Sequence, residues 1–356
     1  MQSALKFPLG HAILHAPSSA VRSNQFGWRM WGPPAVEPQS NVLGMADETP
    51  QRHYNPAKPG TKLAGYNVLA EVGQGAASII YVVQDPKTKR IYALKHVERQ
   101  DAKDLRFMEQ AEREYEVASK VKHPAIRSID KIIKQREGLL SGLKELFLVM
   151  EYVDGVSLER KPPATFEAAL SAFSQTARGL AHMHSCGFVH ADMKPNNIVM
   201  LEDGSVKVID LGQACAVGTI KERIQGTPDY IAPEQVHRRE ITPKTDIYNL
   251  GATMYWVLTR THIPTALPKG DSLVNSLDDA FIQKPTPPSE VNKRIPQVLS
   301  DLIMQCVEVD AEKRPADMNQ VADKLDAIRA WIKSGGASGS SSGGSTTPPS
   351  AGSAPN

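Results

Sequence analysis

The sequence predicts an α+β fold with two lobes, in which a strand-rich part precedes a helix-rich part. Two observations indicate this fold. Short runs of β-branched and aromatic residues, separated by turns, fill most of residues 66–151. After Gly155, apolar residues recur mostly at the three- and four-residue spacing of helices. Strands and helices segregated in this way are typical of α+β proteins.

Five strands and one helix are expected in the first part. The helix is indicated by apolar residues from Leu105 to Ala118, which recur at spacings of three and four. Turns at Gly73–Gly75 and at Asp85-Pro86 separate the first three strands. The predicted strands are residues 66–72, 79–84, 91–95, 126–133 and 146–151.

Two long helices and a strand are expected in the second part. Apolar residues from Phe166 to His184 mark one face of the first helix. Residues 206–209 have the pattern of a strand. The last helix follows Pro315, a residue favoured at helix starts, and presents a face from Met318 to Ile332.

Composition limits the function classes. Of the 356 residues, 41% are hydrophobic, which is enough for a sizeable core. A formal net charge of +2 argues against a broad electrostatic partner such as nucleic acid or an anionic membrane. Three scattered cysteines fit neither a disulfide framework nor a zinc site, and no apolar run is long enough to span a membrane. We therefore expect a cytoplasmic protein, and the oligomeric state is left open.

Both ends of the chain are predicted to lie outside the folded domain. Residues 1–60 are rich in proline and lack periodicity, which predicts an irregular arm. Met45 is an alternative start, so the sequence leaves open whether residues 1–44 are translated. Residues 334–356 are almost entirely Gly, Ser, Ala, Thr and Pro, which predicts a flexible tail.

Two features of the first part could serve phosphate groups. Gly73 and Gly75 lie between two strands, where a glycine backbone can approach phosphate oxygens closely. On its own this pattern favours a plain hairpin. Lys95 is the one cation in an apolar strand, and Glu114 in the following helix is placed to orient it. The alternative for Lys95 is a solvated edge lysine.

The most informative stretch is a short loop that holds Asp192, Lys194 and Asn197. Such groups crowd a loop only where a polar ligand satisfies them. Asp192 can orient an attacking hydroxyl, Lys194 can neutralise a phosphoryl group, and Asn197 can bind a metal through its amide oxygen. Asp210 follows a predicted strand and, with Asn197, would make a two-oxygen Mg²⁺ site.

In order, these residues resemble the motifs of the eukaryotic-like (Hanks-type) serine/threonine protein kinase family. The resemblance implies a two-lobed protein kinase fold. A small, mainly antiparallel β N-lobe with one helix would cover residues 61–153, and a larger, mainly α-helical C-lobe residues 154–333. It also implies ATP and Mg²⁺ as cofactors, with Mn²⁺ as an alternative, and a protein substrate with serine or threonine hydroxyls.

The resemblance also implies roles for individual residues. Asp192 and Lys194 would be catalytic, Asn197 and Asp210 would hold the metal, and Thr227 would position the substrate. The implied nucleotide-binding residues are Gly73, Gln74, Gly75, Ser78, Ile80, Ala93, Lys95, Glu114, Met150, Glu151, Val153 and Val199.

One departure from the family concerns regulation. Ala191 stands where the family usually has an arginine before the catalytic aspartate. That arginine clasps a phosphate on the activation segment, whose end Ala232-Pro233-Glu234 resembles. We therefore expect activity without such a phosphate, with order supplied by packing and by a Glu234–Arg314 pair. Asp246 resembles the aspartate that anchors the catalytic loop. Ser157 replaces the acidic group that some relatives have near the ribose, so the ribose contact stays unassigned.

Two alternatives to an active protein kinase remain. A pseudokinase scaffold would bind nucleotide without turnover, although Lys95, Glu114, Asp192, Asn197 and Asp210 are all present. A small-molecule kinase would have the related architecture. The stretch 227–234 argues against the latter, because that segment receives a polypeptide in the protein kinase family.

Overall fold

The structure is a computed structural model that describes residues 56–75, 77–136, 142–265, 267, 279 and 282–336. The predicted arm falls outside the described residues except for residues 56–60, and the predicted tail does so beyond residue 336. Within the described part of the chain, no helix is both long and apolar enough to cross a membrane.

A six-stranded antiparallel sheet forms the first lobe of the described chain, with strand order β1-β2-β3-β4-β6-β5. One long helix, α1, packs against β4, β5 and β6. The elements are β1 (Lys62–Leu63), β2 (Tyr66–Gln74), β3 (Ser78–Gln84), β4 (Ile91–Glu98), α1 (Leu105–Lys120), β5 (Ile129–Arg136) and β6 (Leu143–Glu151).

Helices dominate the second lobe. Its elements are β7 (Gly155–Ser157), α2 (Phe166–Ser185), β8 (Phe188–Val189), β9 (Ile198–Leu201), β10 (Val206–Val208), β11 (Cys215–Ala216), α3 (Pro233–Val236), α4 (Pro243–Thr259), α5 (Pro288–Val291), α6 (Gln297–Cys306) and α7 (Met318–Lys333). Helix α4 is buried on nearly every side and contacts α2, α5, α6 and α7. The predicted α+β fold with two lobes is confirmed.

Two predicted boundaries were wrong. The fourth strand begins at Ile129 rather than at residue 126, because Ile126 closes a turn onto His123 and packs into the core. The last helix does not start at Pro315. Asp317 caps it instead, since its carboxylate accepts a hydrogen bond from the Gln320 N–H at 2.8 Å, a preferred N-cap interaction.

Candidate active site

The Lys95 ammonium of β4 meets the Glu114 carboxylate of α1 at 2.6 Å. The side chain of Glu114 is only 1% exposed and that of Lys95 is 15% exposed. Burial alone would lower the pKa of Lys95, but the charges of Glu114 and Asp210 outweigh it, and the pKa lies above its ordinary value. Lys95 therefore stays charged, and α1 is held against the sheet.

Sequence reasoning missed a second cation beside Glu114. Among the described residues the buried Glu114 Oε1 atom has no hydrogen-bond partner, and the Arg127 guanidinium lies 4.0 Å from it. The Arg127 N–H also donates to the Val208 carbonyl oxygen, which ties this residue to the strand that leads to Asp210. A charged residue between buried Ile126 and Ile129 was the available signal.

Asp210 follows β10 with a backbone φ of 68°, a left-handed conformation that non-glycine residues seldom adopt. Its Oδ1 accepts a hydrogen bond from the Gly212 N–H at 3.2 Å. Burial alone would raise the pKa of this carboxyl, but Lys95 and the Gly212 N–H hold it below its ordinary value. Asp210 is therefore an anion facing the cleft.

Asn197 lies next to Asp210 through the backbone, because the Ile209 N–H donates to the Asn197 carbonyl at 2.9 Å. The side-chain amide nitrogen of Asn197 donates to the Asp192 carbonyl at 2.9 Å, which fixes the orientation of the amide. An amide oxygen and a carboxylate are the hard oxygen ligands that Mg²⁺ prefers. The donor set fits Mg²⁺.

Asp192, Lys194 and Thr227 form one closed hydrogen-bonded group. The Lys194 ammonium donates to Asp192 Oδ2 at 2.9 Å and to the Thr227 hydroxyl oxygen at 2.8 Å. Asp192 Oδ1 accepts from both the Thr227 N–H at 3.0 Å and the Thr227 hydroxyl at 2.9 Å. The geometry brings together the three residues that the sequence placed near the substrate hydroxyl.

Asp246 of α4 holds the backbone next to this group. Its two carboxylate oxygens accept the backbone N–H groups of His190 at 2.9 Å and Ala191 at 2.8 Å. The His184 imidazole contacts the same carboxylate at 2.8 Å. Although burial alone would raise it, the pKa of Asp246 is held below its ordinary value by His184 and these N–H groups. His184 was assigned only to a helix face from the sequence.

The predicted nucleotide residues lie on β2, β3, β4, α1, β6 and β9 or on the segments next to them. Ala93 pairs with Met150 across β4 and β6, and Val199 lies on β9 at the far side. The Gly75 N–H donates to the Ser78 carbonyl at 2.7 Å and closes the glycine turn. Gly73, Gln74 and Ile80 lie beside this turn on β2 and β3, and Val153 lies just after the end of β6.

Glu151 and Val72 also lie on the nucleotide side. The Glu151 carboxylate turns away from the cleft to the Lys207 ammonium at 2.7 Å and to Ser128, which leaves only the Glu151 backbone for a nucleotide. Val72 was missed by sequence reasoning, although it precedes Gly73 and exposes 58% of its surface. An exposed apolar residue beside the turn is suited to cover a flat base.

Ala191 packs with Val189, Ile241 and Cys215 in a small apolar cluster. The cluster is apolar, and the charge of Lys221 acts on its member Cys215. The expected Glu234–Arg314 pair is present and buried, with contacts of 2.8 and 3.0 Å. It anchors the end of the activation segment to the second lobe.

Comparison with known proteins gives a consistent result. A model described as "Protein kinase domain" matches residues 66–325. Serine/threonine-protein kinase PrkC of Bacillus subtilis is 30% identical over 77% of this chain and 43% of its own. Serine/threonine-protein kinase PknB of Mycobacterium tuberculosis is 29% identical over 76% of this chain and 43% of its own. A "Probable serine/threonine-protein kinase" of Clostridium acetobutylicum is 28% identical over 76% and 41%. The chain thus spans about two fifths of these relatives.

Proposed function

Because the chain belongs to the protein kinase domain family, we propose that it is an ATP-dependent kinase that phosphorylates serine or threonine hydroxyls of proteins. The observation that carries this proposal is the closed group of Asp192, Lys194 and Thr227 beside Asn197 and Asp210. The names of the relatives, which are serine/threonine-protein kinases, support the choice of hydroxyl.

The proposed reaction transfers the γ-phosphoryl group in line. The bond between γ-phosphorus and the bridging oxygen of ADP breaks, and a bond to the substrate hydroxyl oxygen forms. Asp192 orients that hydroxyl and receives its proton, while Lys194 offsets negative charge on the transferring group. Thr227 holds both side chains in place, which leaves room for a short hydroxyl side chain. Positioning and electrostatics supply most of the catalysis.

Asn197 and Asp210 would hold Mg²⁺, or Mn²⁺ in its place. When bound, the metal would neutralise part of the phosphate charge. Lys95, oriented by Glu114, would contribute a further cation over the phosphates. The glycine turn at Gly75 would bring backbone N–H groups close to the phosphate oxygens.

We further propose that the kinase is active without a phosphate on its activation segment. Ala191 supports this, because its apolar side chain offers neither a charge nor a hydrogen-bond donor to such a phosphate. Of the nearby cations, Lys207 is paired with Glu151 and Lys221 donates to the Gln213 carbonyl at 2.8 Å. Burial lowers the pKa of Lys221, which fits an inward-facing lysine.

A cytoplasmic location, the division into lobes at residue 153 and the absence of nucleic-acid binding stay predictions. The pseudokinase alternative predicts nucleotide binding with no turnover. The small-molecule alternative predicts turnover with sugars or amino alcohols but not with peptides. These outcomes are distinct from each other and from the proposed activity.

The deciding experiment incubates the purified protein with γ-labelled ATP, Mg²⁺ and a panel of peptides, sugars and amino alcohols. We expect label on peptide serine or threonine, identified by phosphoamino-acid analysis and mapping. Label dominated by phosphotyrosine would contradict the choice of hydroxyl. Binding of ATP with no transfer to any acceptor would contradict the activity itself.

A further inference from the structure

Gln235, on the short helix α3, holds the backbone at two separate places. Its side-chain nitrogen donates to the Ala191 carbonyl at 2.8 Å and to the Gln225 carbonyl at 3.3 Å. Its side-chain oxygen accepts from the Ala232 N–H at 2.9 Å and from the Asn249 amide at 3.0 Å. These contacts use all four hydrogen-bonding positions of a glutamine amide. The residue is 4% exposed.

Asn249 of α4 extends the same arrangement. Its side-chain nitrogen donates to Gln235 and also to the Tyr230 carbonyl at 2.7 Å. Asn249 is 1% exposed, so these bonds form away from bulk water. Together the two amides contact the activation segment at three points, Gln225, Tyr230 and Ala232, and the catalytic loop at Ala191.

The contact at Ala191 is significant because of its backbone. Ala191 has a φ of 60°, a left-handed conformation that is unfavourable for a non-glycine residue. It persists only where the surroundings hold it. Asp246 holds the Ala191 N–H at 2.8 Å, and Gln235 holds the Ala191 carbonyl. The next residue is Asp192, so the placement of its carboxylate depends on both contacts.

We propose that Gln235, supported by Asn249, is a positioning residue that couples the folded activation segment to the catalytic loop through neutral amide hydrogen bonds. This inference rests on the proposed kinase activity and deepens it. In relatives with an arginine before the catalytic aspartate, a phosphate makes a charged clasp. Here neutral hydrogen bonds alone join the activation segment to the catalytic loop. They hold the carbonyl of Ala191, which stands at the position of that arginine.

A loss of this amide has a specific consequence. It leaves the buried Ala191 carbonyl and the half-buried Gln225 carbonyl without this donor, which is costly. The Ala191 carbonyl can then turn, and the Asp192 carboxylate moves with it. None of the hydrogen bonds described for Gln235 goes to a predicted nucleotide-binding residue, so the nucleotide side should keep its geometry. The effect should therefore fall on kcat and not on the KM for ATP.

The test compares Gln235→Leu and Gln235→Glu with a matched control, Gln175→Leu. Gln175 is a half-buried glutamine on α2 whose amide also bridges two backbone groups, the Gly204 carbonyl at 3.1 Å and the Val206 N–H at 3.3 Å. It lies outside the groups that hold Asp192. Gln235→Leu should lower kcat for a peptide at least about tenfold, equivalent to about 1.4 kcal/mol. The KM for ATP should stay within about twofold, and the control should resemble the wild type.

The pH dependence of activity in Gln235→Glu distinguishes a positioning role from a purely structural one. An ionised carboxylate would face the Ala191 and Gln225 carbonyls, whereas a protonated one could donate to them. Burial raises the pKa of such a carboxyl. The activity of Gln235→Glu relative to wild type should therefore increase as pH falls from about 8 to about 6. A flat ratio, with Gln235→Leu near wild type, would overturn the proposal.

Hydrogen exchange without nucleotide separates this proposal from the proposed activity. In Gln235→Leu the Ala232 amide loses its acceptor, so residues 225–232 should exchange faster than in wild type and in the Gln175→Leu control. This holds whether or not the wild type transfers phosphate. If the wild type proves inactive, the kinase proposal fails while exchange still tests the coupling. Unchanged exchange in residues 225–232 would overturn the coupling.

Discussion

The two sides of the cleft are built from different interactions. On the nucleotide side, Lys95, Glu114 and Asp210 form an ionic group, in which the two carboxylates raise the pKa of Lys95. Behind the substrate side, Gln235 and Asn249 form a neutral group of amide hydrogen bonds. Among the described residues each group has one buried oxygen without a hydrogen-bond partner, Glu114 Oε1 and Asn249 Oδ1, but every hydrogen-bonding position of the central Gln235 amide is occupied.

This difference indicates whether each side of the cleft needs a charged ligand to become ordered. An ionic group responds strongly to the arrival of another charge, because charges that are partly removed from water interact more strongly than fully solvated charges. A neutral amide such as that of Gln235, whose hydrogen bonds are all made, has little to gain from an added charge. We infer that the nucleotide side is completed by its charged ligand, whereas the substrate side is already ordered.

The largest effect is expected from Asp210→Asn, which removes the formal charge from the proposed metal site. Mg²⁺-dependent transfer to a peptide should fall below detection, while circular dichroism stays that of the wild type. Asp203→Asn is the matched control, because Asp203 lies on an exposed turn and accepts only from Ser205. Near-native kcat in Asp210→Asn would show that the ionic side does not hold the metal.

Asp192→Asn should lower kcat by about 10²–10⁴, the range for loss of a positioned acid–base group. The variant keeps a side chain of the same shape, so the contacts with Lys194 and Thr227 can largely persist. Steady-state kinetics with a peptide substrate measure the effect. A loss confined to the KM for ATP would contradict the placement of Asp192 at the hydroxyl.

Lys95→Met should lower the rate by roughly 10²–10³, like the loss of one preorganised donor. If Lys95 and Glu114 act as a pair, the double variant with Glu114→Ala should be little worse than Lys95→Met alone. A double-mutant cycle on kcat/KM makes the comparison. Additive losses would show that the two residues act independently.

Arg127→Met should have a smaller effect, about five- to tenfold on kcat/KM, as for a longer second ion pair. The conservative variant Arg127→Lys should recover part of the loss, because it restores the charge near Glu114 Oε1. Both are measured in the wild type and in the Glu114→Ala background. An effect of Arg127→Met that persists unchanged without Glu114 would contradict a contribution through that carboxylate.

Local pattern was enough to predict the fold class and most elements, since periodicity reports which face of a strand or helix is buried. It misplaced Ile126 and Pro315, because packing in a turn and capping by Asp317 decided those boundaries. The site residues carried by short motifs, such as Asp192 and Thr227, lie together in the structure.

Residues that act through distant contacts were harder to find. Gln235 is separated from Ala191 by 44 residues and from Asn249 by 14, and nothing in the local sequence indicates these two contacts. The hydrogen bond between Arg127 and the strand leading to Asp210 is of the same kind. Such contacts depend on how the lobes pack, which a local pattern does not contain.

The smallest effect, and the most direct test of the comparison, concerns phosphate on the activation segment. The Thr219 hydroxyl already donates to the Ala216 carbonyl at 2.7 Å, and the backbone of Thr219 pairs with Ile241. The measurement compares kcat for a peptide among phosphatase-treated protein, autophosphorylated protein and Thr219→Ala. The neutral coupling predicts equal values within about twofold. A difference greater than about tenfold, equivalent to about 1.4 kcal/mol, would contradict it.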